Sequence, residues 1–197
     1  MKKLLALFAF LAVFSLPAFA QETPVFQFGG GYTYRSLDVP FSDRLNMNGW
    51  NATAEYAVAR WLSVAADIDG TYKSQTDPDL TATGKDKTDI YSYLFGPRVY
   101  PLGHHRLTPF VHALFGVGHA RVSLPAVTGS PAFAQSENDF TYAIGGGIDF
   151  SLGKRFAIRV AKFDYEQTRF FQSGAPGTPN QNNFKYSAAL LVKLGSK

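Results

Sequence analysis

Apolar and polar residues alternate with a period of two from residue 25 onward, and no other feature restricts the fold so tightly. Residues 61–72 place Leu62, Val64, Ala66, Ile68, Gly70 and Tyr72 on one parity and Ser63, Ala65, Asp67, Asp69 and Thr71 on the other. Residues 140–151 oppose Phe140, Tyr142, Ile144, Gly146, Ile148 and Phe150 to Thr141, Ala143, Gly145, Gly147, Asp149 and Ser151. The last run sets Phe184, Tyr186, Ala188, Leu190, Val192 and Leu194 against Lys185, Ser187, Ala189, Leu191 and Lys193. A helix would bring such apolar and polar positions onto one face, so these segments are strands. The same pattern predicts strands over 25–34, 48–58, 88–99, 107–119 and 155–166, which makes eight in all.

The connections carry independent information. They fall at 35–47, 59–60, 73–87, 100–106, 120–138, 152–154 and 167–182, alternating long and short. The long ones hold breakers such as Asp77-Pro78-Asp79, Thr128-Gly129-Ser130-Pro131 and Gly174-Ala175-Pro176-Gly177. Long loops at one end and tight turns at the other are the signature of an up-and-down barrel. An even number of strands lets the sheet close and removes its edges.

The chain opens with an address. Lys2 and Lys3 precede the apolar run 4–16, Pro17 breaks it, and Ala18-Phe19-Ala20 gives a small-x-small site. This predicts a signal peptide over 1–20, cleaved after Ala20, and a barrel domain over 21–197. The alternative, an uncleaved anchor, is disfavoured because 13 apolar residues fall short of the ~20 that span a bilayer. No later stretch is apolar enough for a membrane helix, so an exported chain of this kind is either a soluble barrel or a membrane-spanning one.

Three features favour the membrane, with the apolar set outward. Aromatics of that set (Tyr34, Trp50, Tyr56, Tyr72, Phe140, Phe150, Phe184) lie near strand ends, where interfacial girdles belong. The opposite set is small, polar or charged, which suits the narrow lumen of eight strands. A soluble ligand-binding cup would need one long lid loop, whereas four long loops share one end here. The expected fold is an all-β, eight-stranded antiparallel up-and-down transmembrane β-barrel.

Charged residues are only 17% of the chain, and the net charge of +4 includes Lys2 and Lys3. With +2 left for 21–197 and no basic run, nucleic acid is not an expected partner. There is no Cys, so disulfides, thiolate metal sites and a cysteine nucleophile are excluded. On the inward parity lie Glu55, Asp67, Asp69 and Asp149 with Arg98, His112, Arg159 and Lys185. Such charges need partners in a tight lumen, and their interleaved signs predict a structural pairing network. An ion path would instead show one dominant sign or a wider barrel.

One strand breaks its own rule. Phe156, Ile158 and Val160 are apolar on even positions, whereas Phe163 and Tyr165 are apolar on odd ones. A β-bulge near Ala161-Lys162 would swap the parity and turn Asp164 inward, with Arg159 also inward. The glycine triplets 29–31 and 145–147 lie inside strands with no helix after them. They are read as relief of crowding where the wall bends, not as phosphate loops.

The ordered segments Phe28-Gly29-Gly30-Gly31-Tyr32, Gly49-Trp50-Asn51, Gly96-Pro97-Arg98, Pro109 to Gly116, Gly145 to Asp149 and Ile158-Arg159-Val160 resemble one family. It is that of small eight-stranded outer-membrane barrels of the OmpA/OmpX type, the "outer membrane protein β-barrel domain" group. The resemblance covers 21–197 and implies an outer-membrane location, insertion by the barrel-assembly machinery and contact with outer-membrane lipid. A C-terminal peptidoglycan-binding domain, which larger OmpA proteins carry, is not expected.

Some small barrels modify lipids, a deacylase of that kind using a His-x-Ser pair on one strand. A His-x-Ser pair is absent, since Leu107, Leu114 and Arg121 stand two residues after His105, His112 and His119. His104 and His105 sit in a turn, where adjacent residues rarely chelate one metal together. The sequence therefore points to no catalytic, metal or cofactor site. The expected role is structural, with four outward loops meeting an unknown surface ligand above a plugged polar lumen. A narrow porin-like channel is the alternative, and a lipid-modifying enzyme the more distant one.

Overall fold

The computed structural model describes residues 25–38, 44–75, 86–126, 131–168, 170 and 181–195. The predicted signal peptide and its cleavage site lie outside the described residues. Eight strands follow in chain order: β1 (Phe26–Leu37), β2 (Leu45–Ala59), β3 (Leu62–Gln75), β4 (Asp86–Val99), β5 (Leu107–Leu124), β6 (Phe133–Ser151), β7 (Phe156–Thr168) and β8 (Gln181–Leu194). Each pairs antiparallel with the next, and β1 pairs with β8, so the sheet is a closed barrel. Closure leaves every strand with two hydrogen-bonded neighbours.

The faces sort as the alternation requires. Ile144, Leu190, Phe140, Phe163 and Phe95 are exposed on the outer wall. Glu55, Asp67, Asp69, Arg98, Asp149 and Lys185 are buried inside. A greasy exterior around a polar interior inverts the soluble pattern and suits a wall solvated by hydrocarbon.

Several strands outrun the sequence-based bounds. β1 continues through Arg35 to Leu37, and β2 begins at Leu45. β5 and β6, expected to end at 119 and begin at 140, stay paired out to Leu124 opposite Phe133. Residues 135–139 of β6 are polar on both faces, so the ladder continues where the hydropathy pattern has nothing to report.

The irregularity in β7 is a bulge at Val160-Ala161. Arg159 pairs with Ala189 and Lys162 with Ser187, so two β7 residues face the single Ala188 of β8. On the other side Ile148 faces Ala161 and Asp149 faces Arg159, which leaves Val160 without a β6 partner. Arg159, Lys162, Asp164 and Glu166 are consequently all buried, while Phe163 and Tyr165 face outward. Gly147 makes room beside the bulge, since a Cβ there would run into the Ala161 carbonyl and the Phe110 ring.

The short connections, 60–61, 100–106 and 152–155, share one end with the described termini. Gly103 takes φ +69 in the longest of them, and its N–H donates to the Tyr100 carbonyl at 2.9 Å. That left-handed backbone suits glycine, which has no Cβ to clash.

Candidate functional site

The lumen holds six carboxylates (Glu55, Asp67, Asp69, Asp149, Asp164, Glu166) and five cations (Arg35, Arg98, Arg159, Lys162, Lys185) joined by ion pairs, with His112 among them. Every strand contributes at least one of these twelve. Arg35, Arg98 and Arg159 have exposures of 0%, 0% and 1%, so their charge is balanced by protein and not by bulk water.

Toward the loop end the charges form a closed ring. Arg35 of β1 reaches Asp69 at 2.5 Å and Glu166 at 3.2 Å. Lys185 of β8 reaches the same two carboxylates at 2.6 and 2.7 Å. Signs alternate around the four, and Arg35 also donates to the Ser92 hydroxyl at 2.8 Å.

Toward the turn end the charges form a chain. Arg159 clasps both oxygens of Asp149 at 2.8 and 2.9 Å and donates to Glu55 at 2.8 Å. Arg98 donates to Glu55 and, at 3.0 Å, to Asp67. Lys162 then bridges Asp67 at 2.5 Å and Asp164 at 3.1 Å. Asp164 accepts from His112 Nε2 at 2.8 Å. Both guanidiniums also approach the face of the Phe110 ring, Arg98 at 4.8 Å and Arg159 at 4.4 Å from its centre. Its π-face adds cation–π attraction to two buried cations.

Apolar and aromatic groups lie at both ends of this charge network. Tyr100 donates to Glu55, and its ring lies tilted to those of Phe110 at 6.0 Å and His104 at 4.4 Å. Burial, with the Glu55 carboxylate beside it, holds the Tyr100 hydroxyl protonated far above the usual phenol range. His104 shifts down, because its half-buried ring favours the neutral form. At the loop end Leu37, Met47, Ile90, Ala120 and Phe170 pack into one cluster. A mainly apolar cavity of about 130 Å³ sits against it, lined by Leu45, Thr88 and Val122 among others.

All eight residues named from the sequence are buried. Asp69 and Lys185 belong to the ring, and Glu55, Asp67, Arg98, His112, Asp149 and Arg159 to the chain. Asp164, which the expected bulge turns inward, joins them, as do Arg35, Lys162, Glu166, Tyr100 and Phe110, which the sequence reading does not name as lumen residues. Continuing the β1 parity past 34 would have found Arg35. Applying the expected bulge to its neighbours as well as to Asp164 would have found Lys162 and Glu166. Among the described residues no group of His, Cys, Asp and Glu is arranged to hold a metal ion.

Residues 6–191 match the family described as the outer membrane protein β-barrel domain. The chain belongs to that family. No curated protein sequence matches it. Solved structures with the same fold include Neisserial surface protein A, with a TM-score of 0.65 at 13% identity over 86% of this chain and 97% of that one. Ail, the attachment invasion locus protein of Yersinia pestis, superposes with a TM-score of 0.59 at 16% identity, over 86% and 99% of the two chains. OprG of Pseudomonas aeruginosa gives 0.52 at 12% identity, over 89% and 98%. As a member of this family, the protein is a β-barrel of the outer membrane, and its apolar wall meets lipid.

Proposed function

We propose that this protein is a closed scaffold, a plugged barrel that holds four outward connections at the cell surface for interaction with a partner there. The observation that supports this most is the ring of Arg35, Asp69, Glu166 and Lys185, built from β1, β3, β7 and β8. Eight strands surround little more than their own inward side chains. A ring of alternating charge therefore takes up the cross-section and presents no single sign to a passing ion.

The end with the short turns faces the periplasm and the opposite end, from which the four long connections depart, faces outward, as in barrels of this class; most residues of those connections lie outside the described ones. Export by a signal peptide cleaved after Ala20 and insertion by the barrel-assembly machinery belong to the same proposal. Ail has also been solved with the heparin analogue sucrose octasulfate. Only the class of role, interaction at the cell surface, is carried over here. No catalytic step is assigned, because the sequence lacks a His-x-Ser pair.

A narrow channel is the second reading, favoured by the cavity at the loop end. Its lining shares no residue with the ionic ring. Osmotic swelling of proteoliposomes tests the choice. A closed scaffold leaves swelling in a small sugar or amino acid equal to that of protein-free vesicles. Swelling that scales with protein and falls with solute size would overturn it.

A further inference from the structure

Closure of the barrel sorts the surface charges by end. The three short turns carry Arg60, Arg106, Lys154 and Arg155, all exposed. Among the described residues that end exposes no carboxylate, and the nearest ones, Glu55 and Asp149, are buried against Arg98 and Arg159. The opposite end mixes signs, with Asp38, Asp86, Asp89, Glu137 and Asp139 beside Arg44, Lys87 and Arg121.

The cations stand on fixed backbone. The Arg60 carbonyl lies 3.2 Å from His104 Nδ1. The Arg106 carbonyl accepts from Ser151 N–H at 2.8 Å, and the Arg155 carbonyl from Lys193 N–H at 2.7 Å. Three turns far apart in sequence are thus tied to their neighbours, with each arginine side chain left in solvent.

Directly beside the cations runs an apolar rim. Trp61, Leu107, Leu152 and Phe156 are exposed at the same level, and the Arg106 guanidinium lies 5.3 Å over the outward Phe150 ring. Long basic side chains at such a height lay their stems along hydrocarbon and their heads among phosphates. A soluble anion would make no use of the rim, and a hydrated polymer would leave it uncovered. A phospholipid uses both features, since its phosphate meets the cations and its acyl chains meet the rim.

We propose that the turn-end collar of Arg60, Arg106, Lys154 and Arg155 is a binding site for anionic phospholipid headgroups in the leaflet it faces. This rests on the reading of the protein as a membrane-inserted barrel.

The test uses Trp61 as reporter, with Trp50→Phe removing the other tryptophan, in vesicles mixing brominated phosphatidylglycerol or brominated phosphatidylcholine with unlabelled lipid. Quenching of Trp61 by either brominated lipid reads insertion, and the ratio of the two reads the proposal. The expected ratio favours phosphatidylglycerol about threefold or more at low ionic strength and falls toward one in about 0.5 M salt. Changing Arg60→Gln, Arg106→Gln and Arg155→Gln together brings it to one. The matching Arg→Lys set preserves it, as does Arg44→Gln with Lys87→Gln and Arg121→Gln at the other end. Equal quenching by the two lipids in the parent, or a preference that survives the triple glutamine variant, overturns the proposal. Absence of quenching by both lipids would refute insertion itself.

Discussion

Arg159 grips both carboxylate oxygens of Asp149 at 2.8 and 2.9 Å from the residue that faces it across the β6–β7 ladder, one step before the bulge. The same guanidinium reaches Glu55 on the far wall at 2.8 Å. One side chain thus ties the irregular strand to two others, and the fold depends on that tie.

Removing it leaves carboxylates buried without their counter-charge. Arg159→Ala or Arg98→Ala is expected to destabilise the refolded barrel by roughly 3–5 kcal/mol. Urea unfolding followed by tryptophan fluorescence in vesicles reads the loss. A change within experimental error of wild type would mean that the lumen charges are solvated.

The bulge sets the facing of everything after it. Deleting Val160 and Ala161 together joins Arg159 directly to Lys162 and, under strict alternation, aims Lys162, Asp164 and Glu166 at hydrocarbon, where cations at mid-membrane cost about 2–4 kcal/mol and acids less. The deletion variant is expected not to refold to the heat-modifiable form on cold gel electrophoresis. Refolding at wild-type yield would show that strand facing is set elsewhere.

Ala54, Ala66, Ile144 and Leu190 mark the lipid face near mid-membrane. Ile144→Arg and Leu190→Arg should each cost about 2–4 kcal/mol, whereas Ser74→Arg near the loop end should cost close to nothing. Equal losses at the two kinds of site would point to a wall that faces water.

His104 gives a pH signature outside the membrane-spanning strands. Burial lowers its folded pKa below the ordinary value of 6.5, so folding favours the neutral ring. Its contribution is intact above 6.5 and is lost as pH falls through that value, because the unfolded chain takes up the proton first. His104→Gln removes this ring alone, so the comparison is with that variant. Between about pH 7.5 and about pH 5.5 the wild-type urea midpoint should fall further than that of the variant. Parallel curves would contradict it.

The barrel was legible because each strand must show one face to lipid and the other to a packed polar lumen, a constraint written at every second residue. Legibility fails where that constraint lapses. Beyond the bilayer residues 135–139 of β6 are polar on both faces, and in β5 the apolar residues Ala120, Val122 and Leu124 stand on the opposite parity from Val111, Ala113, Phe115 and Val117, so the outward-apolar pattern ends there. Arg35 was missed because β1 was ended at Tyr34, before its last inward charge. Lys162 and Glu166 were missed although the bulge was expected, because the reversed parity was applied to Asp164 alone. The aromatic contribution of Tyr100 and Phe110 has no local signature, since it depends on which residues meet across the lumen. The collar is likewise invisible in sequence, because Arg60, Arg106 and Arg155 become neighbours only when the sheet closes.

Planar-bilayer recording of the refolded mature protein tests the plugged lumen most directly. The wild type should be silent, and Arg98→Ala, which opens the link between Glu55 and Asp67, should leak. Steady, reproducible conductance steps in the wild type would contradict a closed lumen and establish a channel instead.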